Sequence, residues 1–292
     1  MRALVFAVLL AACAAAEAPP QPEPPTSPAA PAAAAEAAAP SELACAGAFT
    51  QGGVALCRAT PGAEILVDGA TAGRADARGW AVIGFTREHG SHARVSARTE
   101  AGQTDADYAI AAREFDIQRI NGLPPQTVNP TDPAVLARIE RDTALKREAF
   151  ASSADLRGWL DGVILPGEGT VTGRWGNQRI LNGEPRDPHF GYDIAAPEGT
   201  PVRAPASGVV TLANPDMHYE GGLVFIDHGQ GLITMYLHLS RLDVGVGERV
   251  VQGQVIGAVG ARGRATGPHL CWRMRWRSRQ LDPSIALEGL AA

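Results

Sequence analysis

Pro188-His189-Phe190-Gly191-Tyr192-Asp193, together with Gly267-Pro268-His269-Leu270-Cys271 far downstream, decides how this chain is read. The first segment sets a histidine and a carboxylate four residues apart. The second sets a histidine and a thiol two apart. Imidazole, carboxylate and thiolate are donor types that together suit zinc. From His269 the chain alternates as far as Trp276. A strand over that run puts His269, Cys271, Arg273 and Arg275 on one face and Leu270, Trp272, Met274 and Trp276 on the other. A helix would turn His269 and Cys271 about 200° apart around its axis. The strand reading therefore gives one face to polar chemistry and the other to the core.

The intervening chain is a glycine-punctuated β pattern. Ala204 to Val210 reads as a turn into a strand, and Leu223 to Asp227 as a second, closed by His228-Gly229. Leu232 to Leu239 is a third, and Val250 to Val259 reads as a hairpin around Gly253.

The run from His189 to Ala204 resembles the lysostaphin and LytM peptidoglycan endopeptidases, peptidase family M23. So do Asp227-His-Gly-Gln-Gly231, Tyr236-Leu-His238-Leu-Ser240, Gly253-Gln-Val-Ile-Gly257 and Thr266-Gly-Pro-His269-Leu270. The likeness covers about residues 160–288, with the motifs in family order. It implies a small antiparallel β-sheet enzyme that cleaves peptide bonds in peptidoglycan stem peptides or cross-links during wall remodelling. Carried over by position, His189 and Asp193 match zinc ligands, and His238 and His269 match two non-ligand histidines that assist catalysis. Cys271 occupies the third ligand position, where the family pattern has histidine. Arg273 stands where many members carry another residue type, and on the strand reading it can meet a substrate carboxylate. The implied mechanism is amide hydrolysis assisted by a zinc ion with three protein ligands and an open position. Two other readings stand beside it. In one the domain binds and activates a cell-wall amidase or another division partner. In the other the metal site only holds together an envelope lipoprotein.

The 292 residues are enough for two modest cores. A net charge of −5 offers no electrostatic case for nucleic acid. The 33 glycines and 22 prolines suit turn-rich β structure, so the expected fold class is mainly β. Residues 1–16 read as an export signal: Arg2, an apolar run from Ala3 to Leu10, then small residues. Leu10-Ala11-Ala12-Cys13 resembles a lipobox. That reading makes Cys13 the lipidated N-terminus of a periplasmic protein anchored to the outer membrane. Ordinary cleavage after Ala14–Ala16 is the alternative. Residues 17–40, with eight prolines and almost no large apolar side chains, read as a disordered tether.

Residues 41–120 read as a small β-sandwich, with runs at Val54–Arg58, Glu64–Val67, Trp80–Phe85, Ala93–Ala97, Tyr108–Ala111 and Phe115–Ile120. Cys45 and Cys57 lie on flanking strands of an exported segment. A disulfide is expected there, two buried thiols being the alternative. His89 and His92 fall in a polar loop without metal-site spacing. Residues 121–155 read as a linker. Its helix is capped by Asp132, starts at Pro133 and runs to about Ser153, packing along Val135, Leu136, Ile139, Ala149 and Phe150. Residues 156–292 complete the chain as the metallopeptidase-like unit. Pairing Cys45 with Cys57 and lipidating Cys13 leaves Cys271 alone, and ligation or burial would protect its thiol. His218 reads as a solvated loop residue and His228 as a hydrogen-bonding turn residue.

Overall fold

The structure is a computed structural model that describes residues 42–122 and 128–290. Cys13, the export signal and the tether lie outside the described residues. The elements run β1 (Leu43–Gly47), β2 (Val54–Ala59), β3 (Glu64–Val67), β4 (Ala70–Arg74), β5 (Trp80–Gly84), β6 (His92–Thr99), β7 (Gly102–Ala109), β8 (Ile117–Ile120) and α1 (Pro133–Phe150). They continue as β9 (Thr170–Gly173), β10 (Gln178–Leu181), β11 (Glu184–Pro185), β12 (Tyr192–Ala195), β13 (Pro201–Arg203), β14 (Gly208–Met217), β15 (Gly221–Asp227) and β16 (Leu232–Leu239). β17 (Arg241–Leu242), β18 (Arg249–Val250), β19 (Val255–Ala258), β20 (His269–Trp276), β21 (Arg279–Leu281) and α2 (Pro283–Gly289) complete the chain. The fold is mainly β and its sheets are antiparallel apart from the pairing of β8 with β10.

The N-terminal strands form two sheets, β1-β2-β5 and β4-β3-β6-β7. The large sheet behind them runs β18-β14-β15-β16-β20-β12-β9, with β21 added to β20. Strands β15 and β16 are buried along their whole length, which explains why they read as near-continuous apolar runs rather than as alternating ones. One face of this sheet carries Val224, Ile226, Tyr236, Trp272, Met274 and Trp276. It shares a single apolar cluster with Val54, Ile65, Ile83, Phe85 and Trp159. Each fully buried side chain of this size contributes about 1.5–3 kcal/mol relative to exposure, so the shared cluster is a large part of what holds the N-terminal strands against the sheet. Polar clasps add direction: Gln230 bridges to the Val82 N–H and the Trp80 carbonyl, and Arg157 pairs with Asp76.

The opposite face packs Leu223, Phe225, Ile233, Met235, Leu237 and Cys271 against Ala149 and Phe150 of α1. The Phe150 and Phe225 rings stand 4.8 Å apart between centroids. Asp132 caps α1 by accepting from the Ala134 and Val135 N–H groups, as its position before Pro133 predicts. The helix ends at Phe150 rather than near Ser153, because the chain turns there to bring Ser152 and Ala154 onto the buried Asp227 carboxylate. Leu136 is exposed, outside the packed stripe. Lys146 and Asp142 instead tie α1 down, through Glu220 and the His218 N–H.

Candidate active site

The two segments quoted at the outset meet because β12 pairs with β20. In that antiparallel register Asp193 stands directly opposite Cys271, and Tyr192 opposite Trp272. Alternation along β20 holds on the core side, with Leu270, Trp272, Met274 and Trp276 each no more than 1% exposed. His189, just before β12, reaches the same point. Its Nε2 lies 3.2 Å from Asp193 Oδ1 and 3.7 Å from Cys271 Sγ. One donor atom from each of the three residues falls within 4.8 Å of the others, and all three residues are buried.

The residues fit a zinc ion on several counts. The donors are one nitrogen, one oxygen and one sulfur, a set zinc accepts. Asp193 Oδ1 is buried and makes no hydrogen bond among the described residues, an arrangement a protein rarely leaves uncompensated. His189 Nδ1 is likewise buried without a partner. Two glycines keep the space clear. A Cβ on Gly191 would meet Cys271 Sγ at 2.5 Å and His189 Nε2 at 2.9 Å, and one on Gly173 would meet Asp193 Oδ2 at 2.4 Å.

Electrostatics prepares the ligands. Burial lowers the pKa of His189, keeping the imidazole neutral and able to ligate. Burial pushes Asp193 towards protonation, but the close approach of His189, with further help from His269 and Cys271, holds its carboxyl well below the usual range. Burial pushes the Cys271 thiol up to about 12, against the opposing pull of Arg273. A cation that binds there must therefore displace the thiol proton. Arg273 Nε donates to Cys271 Sγ at 3.5 Å. Arg273 thus neighbours a predicted ligand from the metal face, as the alternation on β20 implies.

His238 and His269 stand beside this group, with ring centroids 4.7 Å apart. His238 Nδ1 is 2.8 Å from the Arg262 carbonyl, and His269 Nδ1 is 2.8 Å from the Gly267 carbonyl. A carbonyl only accepts, so each Nδ1 carries its proton and donates. In the neutral ring each Nε2 is then left with its lone pair free. Burial and the neighbouring His269 lower the pKa of His238 to about 4, so it stays neutral through the physiological range. Its backbone is in the left-handed region, φ +67°, and its N–H donates to the Glu220 carbonyl. Strain of this kind in a non-glycine residue marks a position the fold specifies.

A cavity of about 560 Å³ opens over these residues. Its rim includes Arg179, Tyr219, Glu220 and Arg264, none of which sequence reasoning singled out for the site. Arg179 reaches it because β10 pairs in parallel with β8, where its Nε donates to Gln118 and its Nη2 lies 3.7 Å from Asp193 Oδ2. No short-range motif reports such a pairing. Gly191 lay inside the quoted motif, and the signal for it was there: a glycine between two ligating residues.

Other singled-out residues lie elsewhere. Cys45 and Cys57 are partners across β1 and β2 and form a disulfide. His228 is buried, bonding the Ser207 carbonyl through Nδ1 and Thr234 Oγ1 through Nε2. His218 stacks edge-on against Tyr219 and is half-buried rather than fully solvated. His89 pairs with Asp68, and His92 contacts Ser91.

The M23 peptidase family model matches residues 187–283, the span from the first candidate ligand motif to just beyond β21. A crystal structure of a Pseudomonas aeruginosa protein described as peptidase M23 superposes with a TM-score of 0.62 and 30% sequence identity. The match covers 82% of this chain and 96% of that one. The chain belongs to peptidase family M23. The segment from His189 to Asp193 lies within the matched span. Among curated relatives, the DD-carboxypeptidase/endopeptidase Mpg of Neisseria meningitidis is 47% identical over 100 residues, 34% of this chain and 23% of that protein. The peptidoglycan DD-endopeptidase ShyA of Vibrio cholerae is 44% identical over 95 residues, 32% of this chain and 22% of that protein. The M23 match thus spans under a quarter of the length of these curated relatives.

Proposed function

We propose that the chain is a zinc-dependent endopeptidase that hydrolyses peptide bonds in peptidoglycan, at stem peptides or cross-links. One observation carries this reading: His189, Asp193 and Cys271 converge within 4.8 Å beside two histidines whose Nε2 atoms are both free to accept. The names of the Neisseria and Vibrio relatives support the substrate class.

His189 Nε2, Asp193 Oδ1 and Cys271 Sγ would hold the ion, and zinc so held supplies Lewis-acid activation of water and of the scissile carbonyl. The chain does the rest. His238, neutral at working pH, orients the attacking water by accepting a hydrogen bond at Nε2. His269, less buried and open to the cavity, takes the water's proton at Nε2 and returns it to the departing amine. The same reading puts the protein in the periplasm, tethered to the outer membrane through lipidated Cys13. The Cys45–Cys57 disulfide supports an oxidising compartment.

The test uses the full chain, purified under reducing conditions and reloaded with zinc. Metal content is measured by mass spectrometry, and digestion of purified sacculi by separation of the released muropeptides. One zinc per chain with release of un-cross-linked peptides is expected. A zinc-loaded chain that leaves sacculi intact yet raises the activity of a cell-wall amidase would replace this reading with the activator one.

A further inference from the structure

Three guanidinium groups line the site cavity: those of Arg179, Arg264 and Arg273. Two have work to do at the candidate ligands. Arg273 donates to Cys271 Sγ, and Arg179 leans on Asp193 while bonding Gln118. Arg264 differs. Its guanidinium lies over the Tyr219 ring, 4.6 Å from the centroid, and makes no ion pair with a carboxylate among the described residues. The acid on the same rim, Glu220, is taken by Lys146 of α1.

Arg264 is therefore a cation in need of a counter-ion. Burial weakens its hold on its proton; Tyr219 opposes this most, Arg273 and Arg186 add to it, and Glu220 counters it. It sits, moreover, where a ligand would pass. With Gly263 and Tyr219 it borders both the site cavity and a neighbouring cavity of about 710 Å³ that extends to His218 and Asp132. Held over a ring, the planar fork suits bidentate recognition of a carboxylate.

We propose that Arg264 anchors the free carboxylate on the leaving-group side of a D,D-peptide bond. This rests on the endopeptidase reading above and adds the basis of its specificity. The chemistry of the bond supplies the ligand. In a D,D-linkage the scissile nitrogen is attached to a D-configured carbon that also bears a carboxyl group. Unless amidated, that group is an anion one carbon away from the bond to be cut. An endopeptidase acting on such bonds gains discrimination by meeting that anion with a guanidinium at the edge of the site.

The experiment compares two cross-linked muropeptide dimers that differ only in whether this carboxyl is free or amidated. They are given to the zinc-loaded full chain and to Arg264→Gln and Arg264→Lys. The wild type should favour the free acid by roughly 10- to 100-fold in kcat/KM, the range expected for a charge-assisted pair. In Arg264→Gln that ratio should fall towards one, and in Arg264→Lys it should be intermediate, with zinc content unchanged in both. A ratio in Arg264→Gln equal to that of the wild type overturns the proposal, as does a wild-type ratio of one. Equilibrium binding of the leaving-side product peptide, free acid against amide, separates this proposal from the function it rests on. If neither dimer is cleaved, the endopeptidase reading fails, and binding still decides the anchor. About tenfold or greater weakening on amidation or in Arg264→Gln sustains it, and equal affinities dismiss it.

Discussion

His189 and Cys271, 82 positions apart in the sequence, bring Nε2 and Sγ to 3.7 Å from one another. The register of β12 on β20 is responsible: it sets Asp193 opposite Cys271, and the short turn before β12 swings His189 into the same space. The consequences can be measured.

Cys271 should be a metal ligand. Cobalt substituted into the metal-free chain should give an intense near-ultraviolet thiolate-to-metal band, and Cys271→Ser should abolish it. A band of unchanged intensity in the serine variant would remove Cys271 from the coordination shell. Asp193→Ala serves as the control, weakening cobalt affinity without removing the sulfur band at saturation.

Gly191 should be needed for space rather than for backbone freedom. Its φ lies outside the left-handed region, yet an added Cβ would fall 2.5 Å from Cys271 Sγ and 2.9 Å from His189 Nε2. Gly191→Ala should fold, keep a near-normal melting temperature with metal removed, and lose zinc affinity by about tenfold or more in a competition titration, comparable to the loss of an orienting partner. Wild-type affinity in that variant would mean that the donors do not converge as the structure has them.

His238→Ala and His269→Ala should retain one zinc each and lose about 10²–10⁴-fold in kcat on a soluble cross-linked peptide, as expected when a positioned acid or base is removed. Loss of zinc from a folded variant of either would show that these rings bind metal and that the division between ligands and proton carriers is different.

Stability of the metal-free protein should fall on mild acidification. Burial is the first cause that lowers the pKa of His189, His228 and His238, the last to about 4. An unfolded histidine titrates near ~6.5, so below that pH the unfolded chain binds protons that the folded chain refuses. The folded state therefore loses stability as pH drops from about 6.5 towards 4, by up to ~1.4 kcal/mol per pH unit for each such histidine. Asp193 acts in the same direction only at lower pH, because its stabilising charge is lost as pH falls through its own depressed pKa. The check is denaturant unfolding of the chelator-treated chain between pH 7 and pH 4.5. A flat profile would mean that these rings are hydrated or already charged.

Much of the fold was legible before any coordinates. Glu64–Val67, Leu232–Leu239 and His269–Trp276 form the strands that their patterns imply, with the same ends. Period-two alternation reports a strand with one buried face directly, because successive side chains must point to opposite sides. The cap at Asp132 was legible for a similar reason: one short polar side chain and the following proline set a local geometry that needs no partner from elsewhere. β4 escaped because its small side chains, alanine and glycine among them, carry little apolar signal. Its existence rests on pairing with β3.

The sequence by itself determined the mainly β class, the strand that bears His269 and Cys271, and the donor types at hand. These depend on composition and on spacing within a few residues. Only the tertiary structure decided which side chains surround the donors. Arg179 arrives on β10 through its pairing with β8, and Arg264 through a loop laid over Tyr219. His238 takes its place through a left-handed backbone held by the Glu220 carbonyl. Each of these follows from contacts between segments far apart in the chain. Spacing along one strand carries no information about the register of the next, so the cavity's arginines, its clear space at Gly191 and its paired Nε2 lone pairs emerge only when the sheet is assembled.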